Sequence, residues 1–248
     1  MDKRLILPNI TRKLDHSKYI QVPNALGFRS SFRGKQRVPV ISRVQEYNGN
    51  TFEDTHKAIY QDRVGVLQMS PPAIFVPHLI NVSKAHKSNG EYKLYNAVGE
   101  PLSDSEVKSL YNNLFTKCWT WLNAGFEFKK EERKLQRYFL HYKVKEDKDR
   151  NLELDVKKSE LEKCLMKSDV LISPLINNFN NQGLPKLSVV LNEDYEIGKN
   201  IYFDKPENNC VAWFSANSGR ADLNCNRDPS YSNSALGVFA YAEGVAEK

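Results

Sequence analysis

Cys210-Val-Ala-Trp-Phe-Ser-Ala-Asn217 and Arg220-Ala-Asp-Leu-Asn-Cys-Asn226 interleave two alphabets at strand spacing. Ala212, Phe214 and Ala216 alternate with Trp213, Ser215 and Asn217. Ala221, Leu223 and Cys225 alternate with Asp222, Asn224 and Asn226. Successive side chains of a strand point to opposite faces, so each run has one apolar face that packs and one polar face that is presented. An ordinary edge hairpin with polar turns would read the same way. A merely solvated face, however, is usually stocked with Lys, Glu and Thr, whereas this one carries Trp with short Ser, Asn and Asp groups. Asp228, Tyr231 and Asn233 continue it. That composition is closer to a paratope than to a neutral surface.

The chain around this segment has 248 residues, 40% apolar and 27% charged. That is enough to bury a core without disulfides or metals and is ordinary for a globular protein. No apolar run approaches the roughly 20 residues of a membrane span. Leu5-Ile-Leu7 before Pro8 is too short for the apolar core of a secretory signal, so the default compartment is the cytoplasm. Display on a surface or virion would need another route. Cys118, Cys164, Cys210 and Cys225 show neither a C-x-x-C pair nor nearby histidine spacing, which argues against zinc and for buried small hydrophobes. His16, His56, His78, His86 and His141 are equally dispersed and receive no role. No metal and no cofactor is expected.

Charge is uneven. Residues 1–43 hold ten Lys or Arg against Asp2 and Asp15, a surplus of eight, which leaves the remainder at about −2 of the total +6. A basic segment of this kind fits phosphates or an acidic partner, or simply a solvated surface, and phosphate contacts would be salt-sensitive. Tyr19, Phe28 and Phe32 sit among the basic residues without a recognisable ribonucleoprotein or OB-type pattern.

Along the chain, Thr51 followed by Glu53 and Asp54 predicts a capped helix through Ala58, Ile59 and Tyr60, stopped near Gly65. Ser70-Pro71-Pro72 opens a second, short helix whose interior Pro77 fits poorly. Ser103 and Glu106 form a capping box ahead of Val107, Leu110, Tyr111, Leu114 and Phe115, a core stripe at helical spacing. Cys118-Trp-Thr-Trp-Leu122 reads as a buried strand or turn. Lys129–Arg150 reads as a solvated excursion around one strand or helix with a tight turn near its end. A further helix is expected from Ser159 through Leu161 and Leu165, with Glu162 completing its cap. Asn177 to Gly183-Leu-Pro185 is loop, and Leu187–Leu191 and Asn200–Phe203 are strands. Strands after helices without β-α-β alternation argue for an α+β class.

No catalytic constellation is legible: no G-x-S-x-G, no phosphate-binding glycine loop, no H-E-x-x-H and no carboxylate pair beside a histidine. Asp222 and Asp228 fall on the polar parity among asparagines. Binding without chemistry is the expectation, and the chain is not read as an enzyme.

The stretch Val211-Ala-Trp-Phe-Ser-Ala-Asn-Ser-Gly-Arg-Ala-Asp-Leu-Asn-Cys-Asn-Arg-Asp-Pro-Ser-Tyr-Ser-Asn-Ser-Ala-Leu-Gly-Val-Phe-Ala240 resembles the variable region of diversity-generating retroelement target proteins. These have a C-type lectin fold of the formylglycine-generating-enzyme type. Leu7-Pro-Asn-Ile-Thr-Arg-Lys13, Tyr19-Ile-Gln-Val-Pro-Asn24, Gly27-Phe-Arg-Ser-Ser-Phe-Arg-Gly-Lys35 and Cys118-Trp-Thr-Trp-Leu-Asn123 resemble framework blocks of one bacterial branch. The resemblance implies a single C-type lectin-like domain over 1–248 with short antiparallel sheets and two or more helices. It also implies a variable ligand-binding region at 210–240, with the basic segment at 1–43 before it; residues 126–182 depart from the fold pattern and read as an insert peripheral to the lectin-like core. Adenine-directed mutagenesis would diversify Trp213, Ser215, Asn217, Asp222, Asn224, Asn226, Asp228, Tyr231, Asn233, Ser234 and Ala235. Phe214, Gly219, Arg220, Leu223, Cys225, Pro229, Leu236, Gly237 and Phe239 would be scaffold. The Gly-Gly-x-Trp-type turn common in formylglycine-generating-type members is absent, and Cys210 and Cys225 do not match the activating cysteine pair of that enzyme. The implied partner is an unknown protein or other surface ligand. The competing readings are a nucleic-acid module using residues 1–43 and a structural or adhesin subunit of a phage or surface assembly.

Overall fold

The computed structural model describes residues 15–27, 31–32, 35–63, 67–88, 90–132, 134–173, 178–186, 191 and 193–246. The stop near Gly65, most of the Leu187–Leu191 strand and much of the basic segment lie outside the described residues. The elements in chain order are β1 (Tyr19–Gln21), β2 (Ser31–Phe32), β3 (Lys35–Ser42), α1 (Phe52–Arg63), β4 (Gln68–Met69), α2 (Pro72–Lys87) and α3 (Asp104–Thr116). There follow β5 (Trp119–Glu131), β6 (Lys134–Glu146), β7 (Leu152–Glu160), β8 (Val170–Ile172), β9 (Ile201–Asp204), β10 (Val211–Asn217), β11 (Arg220–Arg227) and β12 (Ala240–Ala246).

The strands form two sheets: β1-β3-β12-β4 with β2 on β3, and β7-β6-β5-β10-β11-β9-β8. The class is mixed α+β, as expected. The sheets are less short and less uniform than expected, because β5 and β6 each run 13 residues and β9 pairs β11 in parallel.

The position of β10 governs the core. It is the fourth of seven strands, and both its faces are covered. On one side α2 and α3 bring Phe75, Leu79, Leu114 and Phe115 against Ala212, Phe214, Ala216, Leu223 and Cys225. On the other, α1 and the segment before β12 bring Phe52, Ile59, Leu236 and Val238 against Trp121, Val211 and Trp213. A strand covered on both faces still alternates, but its polar parity need not meet water.

The helices show why local signals held or failed. Thr51 caps α1 by accepting from Asp54 N at 3.2 Å. At α3, Ser103 N donates to Glu106 Oε2 at 2.8 Å. Those Ser103 bonds, and then Arg43 at 2.9 Å, hold the Glu106 carboxyl down to about 2. Helix α2 is 16 residues long rather than short, and Pro77 lies inside it. A mid-helix proline removes the N–H that would bond four residues back. Here that orphaned carbonyl, on Ala73, accepts from Leu26 N at 2.8 Å, so the break is repaired from outside the helix.

Ser159–Leu165 is not a helix. Ser159 pairs with Phe139 in the β6–β7 ladder, and Leu161 N continues it to Arg137 O at 2.9 Å. Glu162, the presumed capping partner, accepts instead from Asn181 N at 3.0 Å. Lys129–Arg150 spans two hairpins, closed at the second by a turn in which Asp147 Oδ1 accepts from Asp149 N and Asn151 N, each at 2.8 Å. Residues 126–182 do not stand apart from the core, since Phe126, Phe139, Cys164 and Leu165 enter the first cluster.

The 178–186 loop is locked onto α2 at Gly183, whose φ is +82°. A Cβ there would run into the backbone of Pro72 and Ala73 in the first turn of α2. Gly183→Ala combines left-handed strain with overpacking, and the expected loss is about 2–4 kcal/mol in urea unfolding. A loss below about 1 kcal/mol would mean that the loop moves aside freely.

Candidate functional site

β10 and β11 are antiparallel, with Trp213 opposite Asn224, Ser215 opposite Asp222 and Asn217 opposite Arg220. On the far side of β11, Tyr202 and Asp204 of β9 stand beside Asp222 and Asn224. On the far side of β10, Trp119 and Trp121 of β5 stand opposite Ser215 and Trp213. Paired residues share a face. The polar parity read from the sequence is therefore one contiguous side of four adjacent strands, shared by Trp213, Ser215, Asp222 and Asn224 with Trp119, Tyr202 and Asp204.

That side is not uniformly presented. Trp213 is 6% exposed and Asn224 7%, a correction to the expectation that both lie open. They are covered because loop 228–239, the segment 45–52 and α1 pack over the middle of the sheet. Tyr231 and Asn233 are half-buried, as are Ser215 and Asp222, while Asn217, Asn226, Asp228, Ser234 and Ala235 are exposed.

Trp213 and Asn224 begin a polar chain that crosses the strands. The Asn224 oxygen accepts from Trp213 Nε1 at 3.0 Å and its nitrogen donates to Asp204 Oδ2 at 2.5 Å, the amide orientation being set by these partners. Asp204 Oδ1 in turn accepts from Asp169 N at 2.9 Å. A parallel row joins Arg220 to Asp222 at 2.5 Å and to Asp169 at 2.8 Å, with the guanidinium carbon 3.9 Å from the Tyr202 ring centroid. Arg220 lies on the outer side, tied to two carboxylates and a ring. Burial raises the Asp222 carboxyl above its ordinary range, and the Arg220 hydrogen bond opposes without cancelling this.

Several short polar side chains are committed to their own turns. Asn217 Oδ1 accepts from Gly219 N at 2.8 Å and Arg220 N at 2.9 Å. Asp228 Oδ1 accepts from Ser230 N at 2.8 Å, and those Ser230 bonds hold its carboxyl below the usual range. Asn233 Oδ1 accepts from Ala235 N at 2.9 Å. These are Asx turns, in which the side chain imitates backbone and fixes the loop. Among the described residues, Ser215, Asn226 and Ser234 make no side-chain hydrogen bond, so they remain free for a ligand.

Loop 228–239 is pinned from the other side of the chain. Gln45 Nε2 donates to Ala235 O at 2.7 Å and to Trp119 O at 2.5 Å. Glu46 and Val238 exchange backbone bonds of 2.9 and 2.8 Å. Gly237 permits that approach, since a Cβ would lie 2.6 Å from Glu46 O.

One central residue escapes period-two reading. Between Trp213 and Val211 the register advances two residues on β10 but three on β11, from Asn224 to Arg227. This bulge turns Arg227 onto the outer side. Its guanidinium carbon sits 3.9 Å from the Trp213 ring centroid and 4.5 Å from that of Tyr231. Trp119 meets Trp213 edge-on at 5.8 Å. Trp119 was legible in the sequence as part of a buried strand, but its place beside Trp213 depends on strand order.

All four cysteines are free, three of them buried, and burial pushes the Cys164 thiol up to about 11. Among the described residues no cluster of three or more His, Cys, Asp or Glu is placed to hold a metal ion. No described helix is long and apolar enough to cross a membrane. No family model, curated protein or solved structure matches the chain, so the face is characterised by its own geometry.

Proposed function

We propose that the outer face of β10, β11 and loop 228–236 is a ligand-binding surface on a C-type lectin-type scaffold, diversified at its exposed positions by a retroelement and without catalytic activity. The observation that carries this reading is the packing of Trp213, Arg227 and Tyr231 into one cluster. Ser215 lies two residues along β10 on the same side, and Asn226, at the bulge, and Ser234 and Ala235, in the loop, are exposed. Tyr and Arg are among the residue types that dominate binding hot spots, and the half-buried Arg227 and Tyr231, held in place by the covered Trp213, lose little entropy when a partner docks. The surrounding polar groups can change without disturbing it.

The test is the DNA flanking the gene. A near-identical template repeat is expected, mismatched only at template adenines. The mismatched codons should include those of Ser215, Asn226, Ser234 and Ala235 and spare those of Phe214, Leu223 and Cys225. A locus with no repeat, or with mismatches scattered over the inward codons, would remove the proposal. In the protein, replacing Ser215, Asn226 and Ser234 one at a time is expected to shift stability by less than about 0.5 kcal/mol each.

A further inference from the structure

At the opposite end of the seven-stranded sheet, β7 pairs with β6 along its full nine residues. Among the described residues no strand pairs with its other edge. An open edge presents unpaired N–H and C=O groups, and folded chains usually blunt such an edge with lysines or a proline. The β7 sequence, Leu152-Glu-Leu-Asp-Val-Lys-Lys-Ser-Glu160, has no proline and divides its charge about its centre: Glu153 and Asp155 come first, Lys157 and Lys158 follow, and Glu160 closes the strand. Val156 stands at the centre, 45% exposed.

We propose that β7 is a homodimerisation edge, pairing antiparallel with β7 of a second copy about a two-fold axis at Val156. That register sets Val156 against Val156, Leu154 against Lys158 and Glu153 against Ser159. It also sets Asp155 against Lys157, twice by symmetry. Directly opposed residues share a face, so the sheet pleat continues from one copy into the next. Asp155 and Lys157 are both exposed and form no ion pair among the described residues, although Lys143 lies opposite Asp155 in β6. Glu153 and Lys158 already have partners within the chain, in Lys145 and Glu127. Of the three charges left over, Asp155 and Lys157 are the two that the second copy neutralises, while Glu160, at the strand end, falls opposite Leu152 and stays in solvent. A uniformly basic edge would repel its own copy, whereas acid-then-base order is self-complementary only for antiparallel pairing. The surface is lean, in the class below about 1,200 Å², so the dimer is expected to be weak and reversible.

Sedimentation equilibrium of the full chain over a wide concentration range tests this, with circular dichroism confirming that each variant folds. The parent should show a concentration-dependent dimer. Asp155→Lys places like charges opposite one another at both symmetric positions and should weaken it by about tenfold. The double variant Asp155→Lys/Lys157→Asp restores opposite charges and should recover dimerisation. A monomer at every concentration overturns the proposal, as does a dimer equally strong in all three proteins or one that the double variant fails to restore.

Discussion

Trp213→Ala is expected to lower the unfolding free energy by about 3–5 kcal/mol, and Ser215→Ala, two residues along the same side of the same strand, by less than about 0.5 kcal/mol. The indole of Trp213 is covered by loop 228–239, donates to Asn224 and carries the stacked Arg227. Its removal leaves a cavity in the second cluster and frees both partners. The Asn224 oxygen would lose its donor in a place water reaches poorly, which adds to the cost. Arg227, whose Nε has no partner among the described residues, would lose the ring it rests on. Ser215 has none of these attachments. Urea unfolding at constant m-value measures both losses. Equal and small losses would mean that the outer side is open throughout. Equal and large losses would leave no tolerant positions and sink the proposed exchangeable surface.

What the sequence could disclose here was direction, and what it could not was depth. Period-two alternation places Trp213, Ser215, Asp222 and Asn224 on one side because pleat geometry is local. Whether that side meets water depends on strand order, and nothing within residues 210–240 says that β10 lies between β5 and β11 with a loop over it. Arg227 was hidden for a related reason, since a bulge changes parity and its position depends on the partner strands. The turn residues Asn217, Asp228 and Asn233 were legible as hydrogen-bonding groups, but their bonds go to their own backbone. The capping boxes make the same point in pairs. Ser103 with Glu106 caps a helix because an apolar stripe follows and docks. Ser159 with Glu162 carries the same letters, yet β6 and Asn181 offer better partners from a distance. Pro77 was a fair objection to a long α2, answered only by Leu26, some fifty residues upstream.

Acid should unfold the protein early, because His78 and His56 are stored neutral in its interior, and the half-buried His141, lowered to about 4 by burial and then by Lys143 and Lys157, adds in the same sense. His78 lies on α2 against Phe75 and Phe239, and neither ring nitrogen has a partner among the described residues. Burial lowers its pKa from 6.5 to about 3. His56 on α1, against Phe52 and Tyr142, is likewise lowered to about 3, first by burial and then by His141. Between pH 6.5 and about 3 the unfolded chain therefore binds more protons than the native one, and stability falls as pH falls. Each residue contributes a slope of about 1.4 kcal/mol per pH unit across that window. Asp222 acts in the opposite sense, since its raised carboxyl takes up a proton more readily in the native state, but it is a single half-buried group. Two such slopes over two to three pH units are comparable with the roughly 5–15 kcal/mol stability of a domain, so unfolding near pH 4 is expected. His78→Phe removes one slope while keeping a ring among rings. Its acid transition should move to lower pH, and its stability should change less steeply between pH 6 and 4 by about 1.4 kcal/mol per unit. Superimposable profiles for parent and variant would show that His78 is hydrated or already protonated in the native state.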